Sequence, residues 1–198
     1  DSQGSMTSIM GGKVRDEWST AFPLLAKDYA LALQDENHVR AAAGQPPLPF
    51  DETLTEALKL SAQDLIQPTH WPNIDLLGAQ LNLYWAEFQV PVWRMGLRSW
   101  PLWDALGNAL GNDRIVNDYD IIILDTPPAL GYLTINALAA ADILLVPLGA
   151  TFLEFDSTGR FFDMLYSTFA SVEEGENAAR RRNGLPEMRF EWRSEERR

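Results

Sequence analysis

Apolar side chains recur with a helical period along much of this chain, and twice they run together without a break. Over residues 16–43, Phe22, Leu25, Ala26, Tyr29 and Leu33 mark one face of a helix. Gln45-Pro46-Pro47-Leu48-Pro49 ends it, and Asp51 is placed to cap a short helix reaching Leu60. A strand is expected at 74–77, after the Trp71-Pro72-Asn73 turn, and then a helix from Gln80, bent or broken at Pro91. Ser99 is expected to cap the next helix, with Pro101 in its first turn, Leu102, Leu106 and Leu110 on one face, and Gly111-Asn112-Asp113 at its end. The unbroken runs, 121–124 and 143–147, flank a helical stretch at 132–141. Such runs suit strands buried on both faces of a parallel sheet, and strand–helix–strand makes a βαβ unit with a right-handed crossover. A long helix over 157–182 then turns Phe161, Phe162, Leu165, Tyr166, Phe169 and Val172 to the core. Arg180, Arg181 and Arg182 complement its dipole, and Asn183-Gly184 signals its end. Residues 188–192 are expected to start another strand, and 193–198 form a strongly charged tail; no internal repeat stands out.

The first unbroken run ends in Asp125-Thr126-Pro127-Pro128. An acid at the carboxyl end of a buried strand stands where open α/β sheets bind ligands, and such a carboxylate can hold magnesium. A phosphate-binding loop of the form Gly-x-x-x-x-Gly-Lys-Ser/Thr is absent. Gly11-Gly12-Lys13 is a superficial echo, followed by Val14 where a hydroxyl residue is needed, and it reads as an ordinary turn.

Charge and composition narrow the classes further. The chain has 198 residues, 46% of them hydrophobic, enough for a core. Its 28 acidic and 16 basic residues give a net charge of -12, which opposes non-specific nucleic-acid binding by this piece. Zero cysteines exclude disulfides, thiolate chemistry and iron–sulfur clusters, and fit a reducing cytoplasm. No run approaches the roughly 18 apolar residues of a membrane span. Trp71, Trp85, Trp93, Trp100 and Trp103 crowd together with only Arg94 and Arg98 beside them, a pattern of core or partner-facing packing rather than base stacking. His38 and His70 lack a ligand pattern and read as solvated or capping residues.

Three segments carry a family resemblance. Leu124-Asp125-Thr126-Pro127-Pro128-Ala129-Leu130-Gly131-Tyr132-Leu133-Thr134, continuing through Asn136-Ala137-Leu138 to Asp142, resembles the ParA-type partition ATPases, RepA partition proteins among them. Asp1-Ser2-Gln3-Gly4-Ser5 is similar to the family's Asp-Pro-Gln motif, with Ser2 in place of Pro, and Ile74-Asp75-Leu76-Leu77-Gly78-Ala79 to a family strand. The resemblance implies an α/β fold: a mostly parallel sheet with helices on both faces, three-layered and P-loop NTPase-like, incomplete at both ends, over residues 1–192, with 193–198 outside it. It implies ATP and Mg2+ as cofactors, Asp125 and Asp1 toward the metal, Asp1 also toward the attacking water, and Thr126 and Pro127 beside the nucleotide. The implied partners are a ParB- or RepB-type protein, DNA bound non-specifically, and a second copy joined through ATP, with no membrane; the implied place is the cytoplasm, at the nucleoid. Because the family's Lys-Gly-Gly-x-Gly-Lys-Thr loop is not in this sequence, the chain alone is expected to be an inactive fragment. The rival readings are a non-catalytic remnant that binds proteins, and a MinD-like ATPase, which would need an amphipathic carboxyl-terminal helix.

Overall fold

A computed structural model describes residues 4–14, 18, 20–112, 115–127, 129–147, 149, 151–182, 184 and 186–189. The chain forms two compact units, Asp1–Ala141 and Asp142–Arg198.

The first unit is built around α2 (Phe22–Ala42), which follows the short α1 (Ser5–Ile9). Phe22, Leu25, Ala26, Tyr29 and Leu33 are buried, as their spacing predicts. The helix starts at Phe22 and not at residue 16: Ala21 is its N-cap, Pro23 stands in its first turn, and the Phe22 amide donates to Thr20 Oγ1 at 3.2 Å. α3 (Glu52–Lys59) and α6 (Ala105–Asn112) both pack on α2. Asp51 caps α3 as expected, accepting from the Leu54 amide at 2.9 Å. Trp93, on α5 (Ala86–Gly96), and Trp100 fill the core beside α2, whereas Trp71 and Trp85 are exposed: the Trp93 ring stacks on Tyr29 at 5.2 Å and on Phe22 at 5.7 Å, and Trp100 meets Tyr29 edge-on at 5.0 Å. Asp28 receives the Trp100 indole N–H at 2.7 Å and the Asn108 amide at 3.1 Å, tying α2 to α6.

Two expected helices differ. Leu81–Trp85 forms a 3-10 turn before α5, and α5 continues through Pro91. No helix starts at Ser99, because Trp100, Leu102 and Trp103 are all buried through successive turns and α6 begins only at Ala105. Leu102 lies about 160° from Trp100 around a helix and about 100° from Trp103, so one narrow helical stripe would not bury all three. α7 (Ile115–Asp118) follows α6, and Ile115 joins Leu24, Ala62 and Leu65 in a second cluster.

The sheet departs most from expectation. Among the described residues it has two strands, β1 (Ile66–Pro68) and β2 (Asp75–Leu77), paired antiparallel with Gln67 opposite Leu76. β2 matches the expected strand at 74–77; β1, which follows α4 (Ala62–Leu65), was not foreseen. Neither unbroken apolar run pairs, so a parallel three-layer sheet and its βαβ unit are not formed among the described residues. Ile121 and Ile123 are 78% and 86% exposed, Ile143 and Leu145 83% and 85%. A central strand is buried only when neighbours take both of its edges, and no described strand does so. What forms is a helix-rich mixed α/β structure. α8 (Tyr132–Ala140) agrees with expectation.

In the second unit, α9 (Phe152–Arg182) starts earlier than the expected residue 157. Leu165 and Phe169 are buried, while Phe162 and Tyr166 are exposed, so the apolar face is the narrower one through 161, 165, 169 and 172. Residues 190–192 of the further expected strand, and the charged tail, lie outside the described residues.

The sequence also repeats itself where no repeat stood out. Asn, Arg, Gly, Pro and Phe recur with one spacing at 37, 40, 44, 46 and 50 and at 177, 180, 184, 186 and 190. After α2, Asn37 clamps Leu48 through both backbone groups, at 3.1 and 2.6 Å, and Arg40 Nε donates to Pro46 O at 2.8 Å. After α9, Asn177 clamps Met188 at 2.8 Å in both directions, and Arg180 Nε donates to Pro186 O at 2.6 Å. Gly44 and Gly184 turn the chain with φ of 68° and 67°, conformations that favour glycine. The expected helix-end role of Arg180 thus takes the form of a bond to the returning chain.

Candidate functional site

Asp125 closes the first apolar run and stands ahead of α8. Asp125 and Thr126 are exposed and Pro127 is half-buried; Pro128 lies outside the described residues. The loop from Asp125 to α8 is held from two sides. Gly131, the N-cap of α8, offers no side chain to the orphan amides of the first turn. Glu87, on α5, supplies the missing acceptor: its carboxylate takes the Tyr132 amide at 2.6 Å and the Leu133 amide at 3.0 Å. A negative group there also meets the positive end of the helix dipole. From the other side, the Thr134 hydroxyl donates to Ala129 O at 2.6 Å. Asn136, buried, donates to Tyr132 O at 3.0 Å and accepts from the Leu106 amide at 3.3 Å, joining α8 to α6. Trp103 stacks on Tyr132 with ring centroids 5.7 Å apart.

Sequence reasoning missed Glu87, whose role depends on a partner 45 residues away. The signal for Asn136 was available: the one amide side chain in a mostly apolar helix, where polar groups need partners.

Asp1, the second acid expected at the site, lies outside the described residues, as do Ser2 and Gln3. Its segment continues through Gly4, left-handed with φ of 74°, into α1. Buried Thr7 accepts the Ala79 amide at 2.8 Å, so α1 is docked on the stretch after β2. Tyr119, just before the apolar run, donates to Asp75 of β2 at 2.7 Å. That carboxylate pushes the Tyr119 phenol up to about 12.

Among the described residues no loop is shaped to hold a nucleoside triphosphate. Gly11 and Gly12 serve packing: a Cβ on Gly11 would strike the His70 ring at 2.0 Å, and one on Gly12 would meet Leu76 at 2.5 Å. The Lys13 amide is engaged with Gln67 Oε1 at 2.8 Å. This is the turn that the sequence suggests, with no nest of amides for phosphate. A cavity of about 190 Å³ is lined by Trp18, Phe22, Asp51, Thr53, Trp85, Gln89 and Trp93, aromatic walls with a carboxylate and no cation. Among the described residues no group of three or more His, Cys, Asp or Glu is placed to hold a metal ion. Asp125 offers a hard oxygen donor suited to magnesium as one ligand of several. No helix among the described residues is long and apolar enough to cross a membrane.

A family model described as an AAA domain matches residues 1–177. The cell division protein PomZ of Myxococcus xanthus is 31% identical over 171 residues, 84% of this chain and 50% of that protein. The chromosome partitioning protein ParA of the same organism is 33% identical over 132 residues, 67% of this chain and 42% of its own length. Protein SopA of Escherichia coli K12 is 34% identical over 108 residues, 54% of this chain and 28% of SopA. The chain thus spans half or less of the length of these curated relatives. Matched over most of its length, and with relatives of these kinds, the chain belongs to the ParA-type partition ATPase family.

Proposed function

We propose that this chain is the part of a ParA-like partition ATPase that carries the metal-side acid, and that the whole protein helps segregate a replicon. Asp125 is that acid, acting on magnesium through water, with Thr126 and Pro127 beside the nucleotide and Asp1 acting on the attacking water. The position of Asp125 carries this reading: it ends an unbroken apolar run, directly before a helix whose start is clamped by Glu87. In phosphoryl transfer the protein supplies position and the metal supplies charge neutralisation, so a fixed carboxylate at this point is a fitting contribution.

In the whole protein, residues 121–124 and 143–146 are strands of a three-layer parallel sheet; their continuous apolar character and present exposure support this. There the protein binds ATP with Mg2+, pairs with a second copy, meets DNA non-specifically, and is released by a ParB-type partner, in the cytoplasm at the nucleoid. This chain alone does not hydrolyse ATP, since no loop in it neutralises the triphosphate. The packed-shut turn at Gly11 and Gly12 favours a second reading, a remnant that binds partners without catalysis.

The test is a chimera in which a strand, a Lys-Gly-Gly-x-Gly-Lys-Thr loop, a helix and a second strand precede Asp1, with a family carboxyl-terminal segment after Trp192. Magnesium-dependent hydrolysis is expected, faster with DNA and a ParB-type partner. Asp125→Asn should lower it roughly 10–100-fold, the range seen when groups that orient a metal site are removed. Asp1→Ala should keep nucleotide binding and lose turnover, and Glu174→Gln, on the exposed side of α9, should change neither. Unaltered hydrolysis in Asp125→Asn refutes the assignment; a folded chimera that binds no ATP favours the remnant.

A further inference from the structure

α5 carries two apolar faces. Ala86, Val90 and Trp93 are buried on one. At about 100° per residue, Trp85, Phe88, Val92 and Met95 fall on the opposite side in a stripe about 80° wide. They are 62%, 68%, 57% and 75% exposed, in a chain that buries most of its other tryptophans on this unit. The Trp85 and Phe88 rings lie 6.1 Å apart and form one ridge. Glu87 and Arg94 sit between the two faces and the stripe itself holds no charge. A helix apolar on both sides is made to be covered on both sides.

We propose that a second copy of this chain covers the stripe, its α5 lying antiparallel to the first. The steps from Trp85 to Met95 are three, four and three residues, the alternation of a helix–helix seam. That order reads the same in both directions about Val90. A two-fold axis at Val90 therefore sets Trp85 against Met95 of the second copy and Phe88 against Val92, a large ring against a smaller side chain at every contact. A patch on the order of 500 Å² per copy is the size at which exposed apolar surface is functional, and about 1,000 Å² in total reaches the lower end of specific interfaces. At that size the pairing is of the weak class, and low micromolar concentration is where it is tested. Each copy carries a net charge of -12, so the pair repels at long range and tightens as salt is added. The pairing uses no nucleotide, metal or residue of the Asp125 loop, so it stands or falls apart from the function proposed above.

The chain has no cysteine, which makes placed thiols clean reporters. Full-length Phe88→Cys and Val92→Cys chains, differently tagged, are mixed at low micromolar concentration and treated with a short bis-maleimide. The 88–92 product is expected to exceed the 88–88 and 92–92 products at least fivefold, and its yield to rise with salt. Adding Trp85→Glu to both reporters should bring it down to their level. The pattern should survive Ile123→Glu, which alters the separate exposed run. Equal yields of all products, a dominant 88–88 product, no product, or a yield that falls with salt each overturns the proposal.

Discussion

Removing the charge from Glu87 while keeping its shape tests how the start of α8, and with it the Asp125 loop, is held. Two amides at 2.6 and 3.0 Å share this carboxylate. A charge-assisted bond is worth about 1.5–3 kcal/mol where a neutral one contributes about 1, and losing a helix cap costs about 0.5–2 kcal/mol. In Glu87→Gln the amide oxygen keeps one bond and the NH2 group turns a donor toward a donor, so a loss of about 2 kcal/mol is expected. For a chain of this size that lowers Tm by roughly 4–8 °C, measured by near-ultraviolet circular dichroism, which reports the Trp103–Tyr132 stack. Gly131→Ala attacks the same bonds from the other side: its Cβ would fall 2.5 Å from one carboxylate oxygen of Glu87 and 2.6 Å from the other. The two changes should therefore be non-additive, Glu87→Ala with Gly131→Ala losing little more than either alone. A Glu87→Gln chain melting within about 1 °C of the parent refutes the clamp, as does a double variant whose losses add in full.

Further predictions concern titrating groups and the repeated clamp. Tyr119, raised to about 12 by Asp75, contributes stability that is full below the ordinary phenol range near 10 and lost as pH rises toward 12. Absorbance at alkaline pH should show two late phenols among the five tyrosines, Tyr119 and the Tyr29 phenol that burial also raises, and Tyr119→Phe should remove the one tied to Asp75. Burial raises the Asp28 carboxyl above its usual 3.8, against the opposing bonds from Trp100 and Asn108. The folded state thus holds the proton more tightly, and Asp28 should add stability as pH falls through the window just above 3.8. Urea melts should show the parent gaining stability relative to Asp28→Asn as pH falls through that window. Asn37→Ala, which breaks two backbone bonds, should cost about 1–2 kcal/mol in the same assay, and Asn177→Ala should cost more because Asn177 is buried.

What the sequence shows and what it hides follow from where each signal resides. α2 and α3 were legible because the period of one and the cap of the other lie within the segment: the 22–25–29–33 spacing and Asp51 need no distant partner. The two apolar runs state that they are to be buried but not by what, and without neighbouring strands the same residues stand in solvent. β1 was hidden because Ile66-Gln67-Pro68 is three residues long and ends in a proline, tolerated only because Pro68 stands at the end of the ladder. The cap expected at Ser99 failed because burial of Trp100 and Trp103 outweighs a local capping preference worth about 1 kcal/mol. At the site, Asp125 was visible as the end of a run, whereas Glu87 acts across a long sequence separation and left no local trace.

The repeated Asn–Arg clamp has a kinetic consequence. Each pair of bonds joins residues only 11 apart, Asn37 to Leu48 and Asn177 to Met188. Loops of that length close in roughly 10–100 ns, long before chain segments far apart in sequence find each other. The entropic cost of closing them is lower by roughly 1 kcal/mol than that of bringing α5 to α8. Both helix ends can therefore be shaped early and independently, one in each unit. A helix whose exit direction is fixed that soon narrows the search for its neighbours, and the same short arrangement does this at both places in the chain.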